Sequence, residues 1–327
     1  MGAITTRVYE RDAAAEVSTG IDLEAVSDVL AGGCELVWID MDDPDPPALR
    51  RLAEELGLHH LSVEDALDPH QRDKYVHYEH HVFLVCHAID LDVEKAELVT
   101  AEIDTFIGDR WIVTVHRGRG DLMDRIVERW DRKRQMGGRS VGFILYGLLA
   151  VVSDGYFAAI DQFEEYYDDA GDRVFAERPI EPTEHRVWFE MRKALNAFDR
   201  IIRPLAEAVQ TAVSQDLDRY DDAAEPYLRD AAGELARAST EVDSLRELVD
   251  HIVDANLVLR DYRQNLVMKK VTSWAAIIAV PTLVTGFYGM NVPYPGEGET
   301  WGVLASTAIA LTFSGGLYAL FKRKEWL

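Results

Sequence analysis

Asn265 and Asn291 are the residues best suited to chemistry in this chain, because of what lies between them. Asn265, Met268, Thr272, Ala275, Ala279, Thr282 and Gly286 recur at three- or four-residue spacing, so on a helix they form one small or polar stripe. Small residues in such a stripe also serve close packing between helices. The two asparagines favour a different use, because a side-chain amide packs poorly and offers a carbonyl oxygen to a cation. Asn291 closes the tetrapeptide Tyr288-Gly289-Met290-Asn291.

The element that positions this stripe is an apolar segment. Val271 to Tyr288 and Thr300 to Phe321 contain no Asp, Glu, Lys or Arg, and each approaches the roughly 20 residues a helix needs to cross a bilayer. Lys269 and Lys270 precede the first run, and Lys322, Arg323 and Lys324 follow the second. The connector holds Glu297 and Glu299 and no base. By the positive-inside rule both termini face the cytoplasm of an inner (plasma) membrane, and the connector, residues 290–299, lies outside. Met1 to Asp12 lacks the apolar core of a signal peptide.

Composition narrows the partners. With 58 acidic against 34 basic residues and a formal charge of −24, the chain is too acidic to bind a phosphate backbone, so nucleic acid is excluded as a main partner. Surplus carboxylates beside anionic lipid read as a solvated surface or as places for cations. Cys34 and Cys86 are too few for a disulfide framework. His77, His80 and His81, with His87 nearby, carry metal-binding side chains. Strand alternation would send neighbours among them to opposite faces.

Along the chain, Cys34 to Ile39 reads as a strand, followed by a helix from about Pro47 to Leu56 closing at Gly57. A second helix spans Ser62 to Leu67, and strands are expected at Val82 to Ile89, Thr105 to Gly108 and Trp111 to Val115. This gives an α/β domain over residues 1–135. Long antiparallel helices follow over 136–224, with Pro179 and Pro182 separating them. From Glu225 to Gly289 the only prolines are Pro226 and Pro281, so one stalk helix over 225–289 can continue into the first span. At 1.5 Å per residue it would extend roughly 95 Å, three times a bilayer core. Leu228, Leu235, Val242, Leu245, Val249, Val253 and Leu257 form an apolar stripe that needs neighbouring copies to cover it. The second span and a basic terminus occupy 300–327.

Several motifs together resemble the CorA magnesium transporters. These are Tyr288-Gly289-Met290-Asn291, the inner segment Asn265, Met268, Lys269 and Thr272, then Pro281-Thr282 with Gly286, and the terminus Lys322-Arg323-Lys324-Glu325-Trp326-Leu327. Upstream, Gly57-Leu58-His59, Val63-Glu64-Asp65, His70-Gln71-Arg72 and Tyr227-Leu228-Arg229-Asp230 are similar to the family's cytoplasmic domain and stalk. The resemblance implies a funnel-shaped homopentamer whose first spans line a pore. It further implies a selectivity filter at Gly289, Met290 and Asn291, pore-lining residues from Asn265 to Gly286, and no enzymatic activity or organic cofactor. Mg2+ would be the transported ion, with Co2+ and Ni2+ as companions, held hydrated because it sheds water reluctantly.

The resemblance also implies a regulatory site in which internal Mg2+ bridges Glu64 and Asp65 of one copy to Asp230 of the next. A second cation position of the family appears here as Ala150, and Ala279 stands where relatives often place Met. Two other readings stay open: a Zn2+ transporter on the same scaffold, which Met290 disfavours, and a membrane-anchored oligomeric scaffold or sensor without transport.

Overall fold

A computed structural model describes residues 3–10, 18–118, 120–135, 140–175, 182–215, 219–290, 293 and 295–327. The chain forms two compact units, residues 1–250 and 251–327.

The first unit is built on a seven-stranded sheet. Its strands are β1 (Ile4–Tyr9), β2 (Ser18–Thr19), β3 (Leu36–Asp42), β4 (Lys74–His77), β5 (Val82–Asp92), β6 (Glu97–Ile107) and β7 (Trp111–His116), in the order β2-β1-β3-β7-β6-β5-β4. Only β3 and β7 are parallel; the other neighbours are antiparallel. The expected strands over 82–89, 105–108 and 111–115 are present, and β5 and β6 form a longer hairpin than their apolar runs indicate. β1, β2 and β4 carry no apolar run of their own and are defined by pairing.

Alternation divides the sheet's two faces. Val37, Ile39, Phe83, Val85, Phe106, Val113 and Val115 pack with Ala48, Leu49 and Leu52 of α2 (Pro46–Leu56) and Val63 and Ala66 of α3 (His60–Leu67), below the short α1 (Val26–Ala31). On the opposite face Leu84 meets Leu145 and Leu149 of α5 (Val141–Phe175) and Val209 and Val213 of α6 (Pro182–Gln215). α4 (Gly120–Gln135) packs on α5. Pro179 lies outside the described residues.

Local chemistry explains the boundaries near α3. Asp45 caps α2 by accepting the Ala48 N–H at 2.9 Å, prolines occupy its first turn, and Gly57 closes it with φ +67°. The imidazole of His59 then caps α3, its Nδ1 accepting the Leu61 N–H at 3.3 Å. α5 is apolar enough to cross a membrane, yet 72% of its apolar window is buried within the protein, so it is a core helix.

α7 (Glu225–Tyr288) is one helix of 64 residues and contributes to both units. In the second unit it is joined by α8 (Thr300–Arg323). The apolar windows of these two helices are only 6% and 0% buried, so nearly all of that apolar surface is left uncovered within one chain. After α8, the Trp326 ring stacks on Phe321 with centroids 5.6 Å apart.

Candidate ion path and regulatory carboxylates

The stripe from Asn265 to Gly286 occupies a distinct face of α7. Asn265, Met268, Thr272, Ala275, Ala279, Thr282 and Gly286 are all exposed, whereas Lys269, Ser273, Ile277, Val280, Val284 and Tyr288 are buried or half-buried. At 100° per residue the centres of these two sets lie roughly 150° apart around the helix. Val284 and Tyr288 belong to the second set and share a groove with Ser306, Thr307 and Ala310 of α8. The stripe therefore lies on the side of α7 that α8 leaves open.

At the end of α7 the Gly289 N–H still donates to the Thr285 carbonyl at 2.9 Å, and the Met290 N–H donates to Phe287 at 3.3 Å. A side chain at Gly289 would place its Cβ 2.9 Å from the Thr285 oxygen, so the close turn suits glycine. A helix C-terminus gathers carbonyls without intrahelical partners and carries the negative end of the helix dipole. Asn291 lies outside the described residues, as does Tyr294 of the connector.

A helix starting at Ser62, as the sequence suggests, would put Glu64 and Asp65 in its first turn, where acids complement the dipole. α3 instead begins at His60, with no acid in its first turn, and both residues fall toward its C-terminal end. Acids there oppose the dipole, at about 0.3–1 kcal/mol each. Asp65 is compensated by Lys74, whose Nζ lies 2.8 Å from Oδ2; Glu64 is exposed. Asp230 is exposed on α7. Among the described residues no three His, Cys, Asp or Glu side chains are placed to hold a metal within one chain.

The histidines do not converge. His81 is buried, 3.0 Å from the Ser62 hydroxyl through Nε2, and burial followed by the charges of His59, Arg219 and His80 lowers it to about 4. His77 contacts Arg219. His87 sits between two acids, its Nδ1 2.5 Å from Asp73 Oδ1 and its Nε2 3.4 Å from Glu102 Oε2. Burial works against its charge, but hydrogen bonds and charge from Asp73 and Glu102 prevail and raise it to about 9. This network, together with Lys74, was not apparent from the sequence. Its signal is the register that sets His87 opposite Glu102. Ala150 is buried in α5, 1% exposed.

The family model described as CorA-like Mg2+ transporter protein matches residues 34–323. The chain is 27% identical over 281 residues to the cobalt/magnesium transport protein CorA of Thermotoga maritima, covering 85% of this chain and 80% of that one. It is 22% identical over 230 residues to the zinc transport protein ZntB of an Enterobacter species, covering 68% and 67%. The solved structure of the CorA magnesium transporter from Methanocaldococcus jannaschii superposes over 99% of this chain and 98% of that one, with TM-score 0.79 at 19% identity.

Proposed function

The chain belongs to the CorA-like Mg2+ transporter family, and from that premise we propose that it is a passive Mg2+ influx channel, also passing Co2+ and Ni2+, in the plasma membrane. The observation that carries this reading is the placement of the stripe opposite the face packed on α8. Two spans from one chain enclose no aqueous path, so copies must associate with their stripes facing inward. Five copies, the number the family resemblance implies, would present the stripe to a central pore and α8 to lipid.

The mechanism follows from the stripe's chemistry. No carboxylate stands on the first span, so the ion is held by amide, hydroxyl and backbone dipoles through its hydration shell, weakly enough to leave. A ring of Asn291 side chains at the outer mouth, beside the helix ends that finish at Gly289, is the selecting element. The Thr282 hydroxyl donates to the Ile278 carbonyl one turn earlier at 3.0 Å, which leaves its oxygen lone pairs free to accept. An inside-negative potential of 100 mV favours entry of a divalent cation by about 4.6 kcal/mol, so no nucleotide is needed.

Closure by internal Mg2+ is assigned to Glu64 and Asp65 of one copy with Asp230 of the next. Three carboxylates brought together repel unless a cation lies between them, so cation loss loosens the interface and favours opening. The exposure of Glu64 and Asp230, and the poor dipole position of Glu64, support that assignment.

The test is Mg2+ influx into liposomes with a Mg2+-sensitive dye inside and an imposed inside-negative potential. Wild-type influx, abolished in Asn291→Ala with the oligomer intact, is the expected result. Influx that survives the substitution removes the filter assignment. Zn2+ uptake without Mg2+ uptake places the chain with the zinc transporters, and no ion flux at all favours a scaffold.

A further inference from the structure

Beneath α3 lies a buried set of charged groups that the proposed pore does not use. Asp104 on β6 is 1% exposed and its Oδ1 has no hydrogen-bond partner; Oε1 of Glu102 is likewise buried and unpartnered. The other oxygen of Glu102 is committed, accepting the N–H groups of His70 and Gln71 at 2.7 and 3.0 Å and facing His87 at 3.4 Å. Residues 102 and 104 share a face because they are two apart on one strand. The charges that act on Asp104 are those of Glu102 on its own strand, Arg117 just past β7, His87 from β5 and Lys74 from β4; Asp73 is paired with His87.

Two of those cations also hold α3. Lys74 pairs with Asp65 at 2.8 Å, and an Arg117 Nη donates to the Ala66 carbonyl at 3.0 Å. A buried carboxylate oxygen without a donor is costly when charged and tolerable when protonated. Burial, then the charge of Glu102, pushes Asp104 up to about 8 despite Arg117, His87 and Lys74.

We propose that Asp104 is a proton-binding site that sets how firmly the sheet holds α3, and thereby makes inhibition by internal Mg2+ depend on internal pH. The coupling rests on the regulatory reading of Glu64 and Asp65. When the proton leaves to water, a buried carboxylate is exposed to Lys74 and Arg117. Both cations are drawn toward it, Lys74 relaxes its hold on Asp65, and that carboxylate becomes available to a divalent cation. Alkaline conditions therefore strengthen inhibition.

Two measurements on the full-length protein test this. In liposomes the half-inhibiting internal Mg2+ should fall about fivefold between about pH 7 and about pH 9, a coupling at the low end of those usual between sites. Asp104→Asn, which mimics the protonated acid, should remove that dependence, and Glu102→Gln should move it to lower pH. Separately, the thermal midpoint should fall more steeply with rising pH in wild type than in Asp104→Asn. The reason is that a carboxyl raised from 3.8 to about 8 on folding contributes stability that is lost as pH rises through the upper value. Parallel stability curves overturn the proton site. A stability difference with pH-independent Mg2+ inhibition overturns the link to α3. Absence of Mg2+ inhibition at every pH is instead a failure of the regulatory reading, which removes the link while the stability curves still decide on Asp104.

Discussion

Lys74 Nζ stands 2.8 Å from Asp65 Oδ2, joining the first residue of β4 to the C-terminal half of α3, with the two side chains 28% and 30% exposed. Asp65 is thus engaged by a resident cation, and under the proposed regulatory reading a divalent ion would compete with the lysine. Replacing Lys74 with Met leaves Asp65 free, so half-inhibiting internal Mg2+ should fall. A half-exposed pair is worth up to about 1 kcal/mol, which limits the decrease to about fivefold. Dose–response curves for Mg2+ influx check this; a rise in half-inhibiting Mg2+ would mean that Lys74 supports the closed state.

The Asp73–His87–Glu102 network makes a different prediction, one about stability. His87 is raised from 6.5 to about 9, so its contribution is complete below about pH 6.5 and is lost as pH rises through about 9, an effect of order 3 kcal/mol. The thermal midpoint of wild type should fall across that interval. His87→Gln should be less stable at about pH 6, because Asp73 is then buried without its counter-charge, and its own curve should be flatter. A wild-type midpoint that is constant from about pH 6.5 to 9 would contradict the pairing.

The sequence revealed what periodicity and motif encode. The two apolar C-terminal helical runs, the long helix from Glu225 and the strands at 82–89 and 111–115 are apolar patterns long enough to stand alone, and Gly57 marks the end of α2. β4 and β1 are legible only through their partners, since Lys74-Tyr75-Val76-His77 and Ile4 to Tyr9 have no strong alternation and are ordered by Leu84 and Ile39 across the ladder. The stripe on α7 was readable because helical spacing determines a face. The position of Glu64 and Asp65 in α3 was not, because the helix start depends on a histidine cap that resembles no common capping residue. The cluster around Asp104 joins residues from β4, β5, β6 and the segment after β7, and no single stretch of sequence carries it.

A packing prediction concerns the β6–β7 turn. Trp111 folds its indole over Gly108, so a Cβ added there would collide with the ring. Trp111 is 9% exposed and belongs to the core between the sheet and α1–α3. Gly108→Ala must displace it and should cost about 1–3 kcal/mol. The thermal midpoint and Trp fluorescence of the variant report this, with fluorescence shifting to the red as the ring gains water. An unchanged midpoint would show that the turn relaxes at no cost.

The regulatory assignment is tested most directly by reversing the charges it needs. Asp65→Lys combined with Asp230→Lys replaces two of the three carboxylates at the proposed interface with cations. Divalent binding there should vanish, and internal Mg2+ should no longer close the pore. Influx at low internal Mg2+ should persist, since neither residue belongs to the α7 stripe. The outcome separates interface chemistry from simple disruption if Asp65→Asn with Asp230→Asn is measured alongside, because the amides remove charge without adding repulsion. Both variants should shift half-inhibiting Mg2+ upward, the lysine pair by more. Wild-type inhibition in both variants would remove Glu64, Asp65 and Asp230 from the gate while leaving the pore untouched.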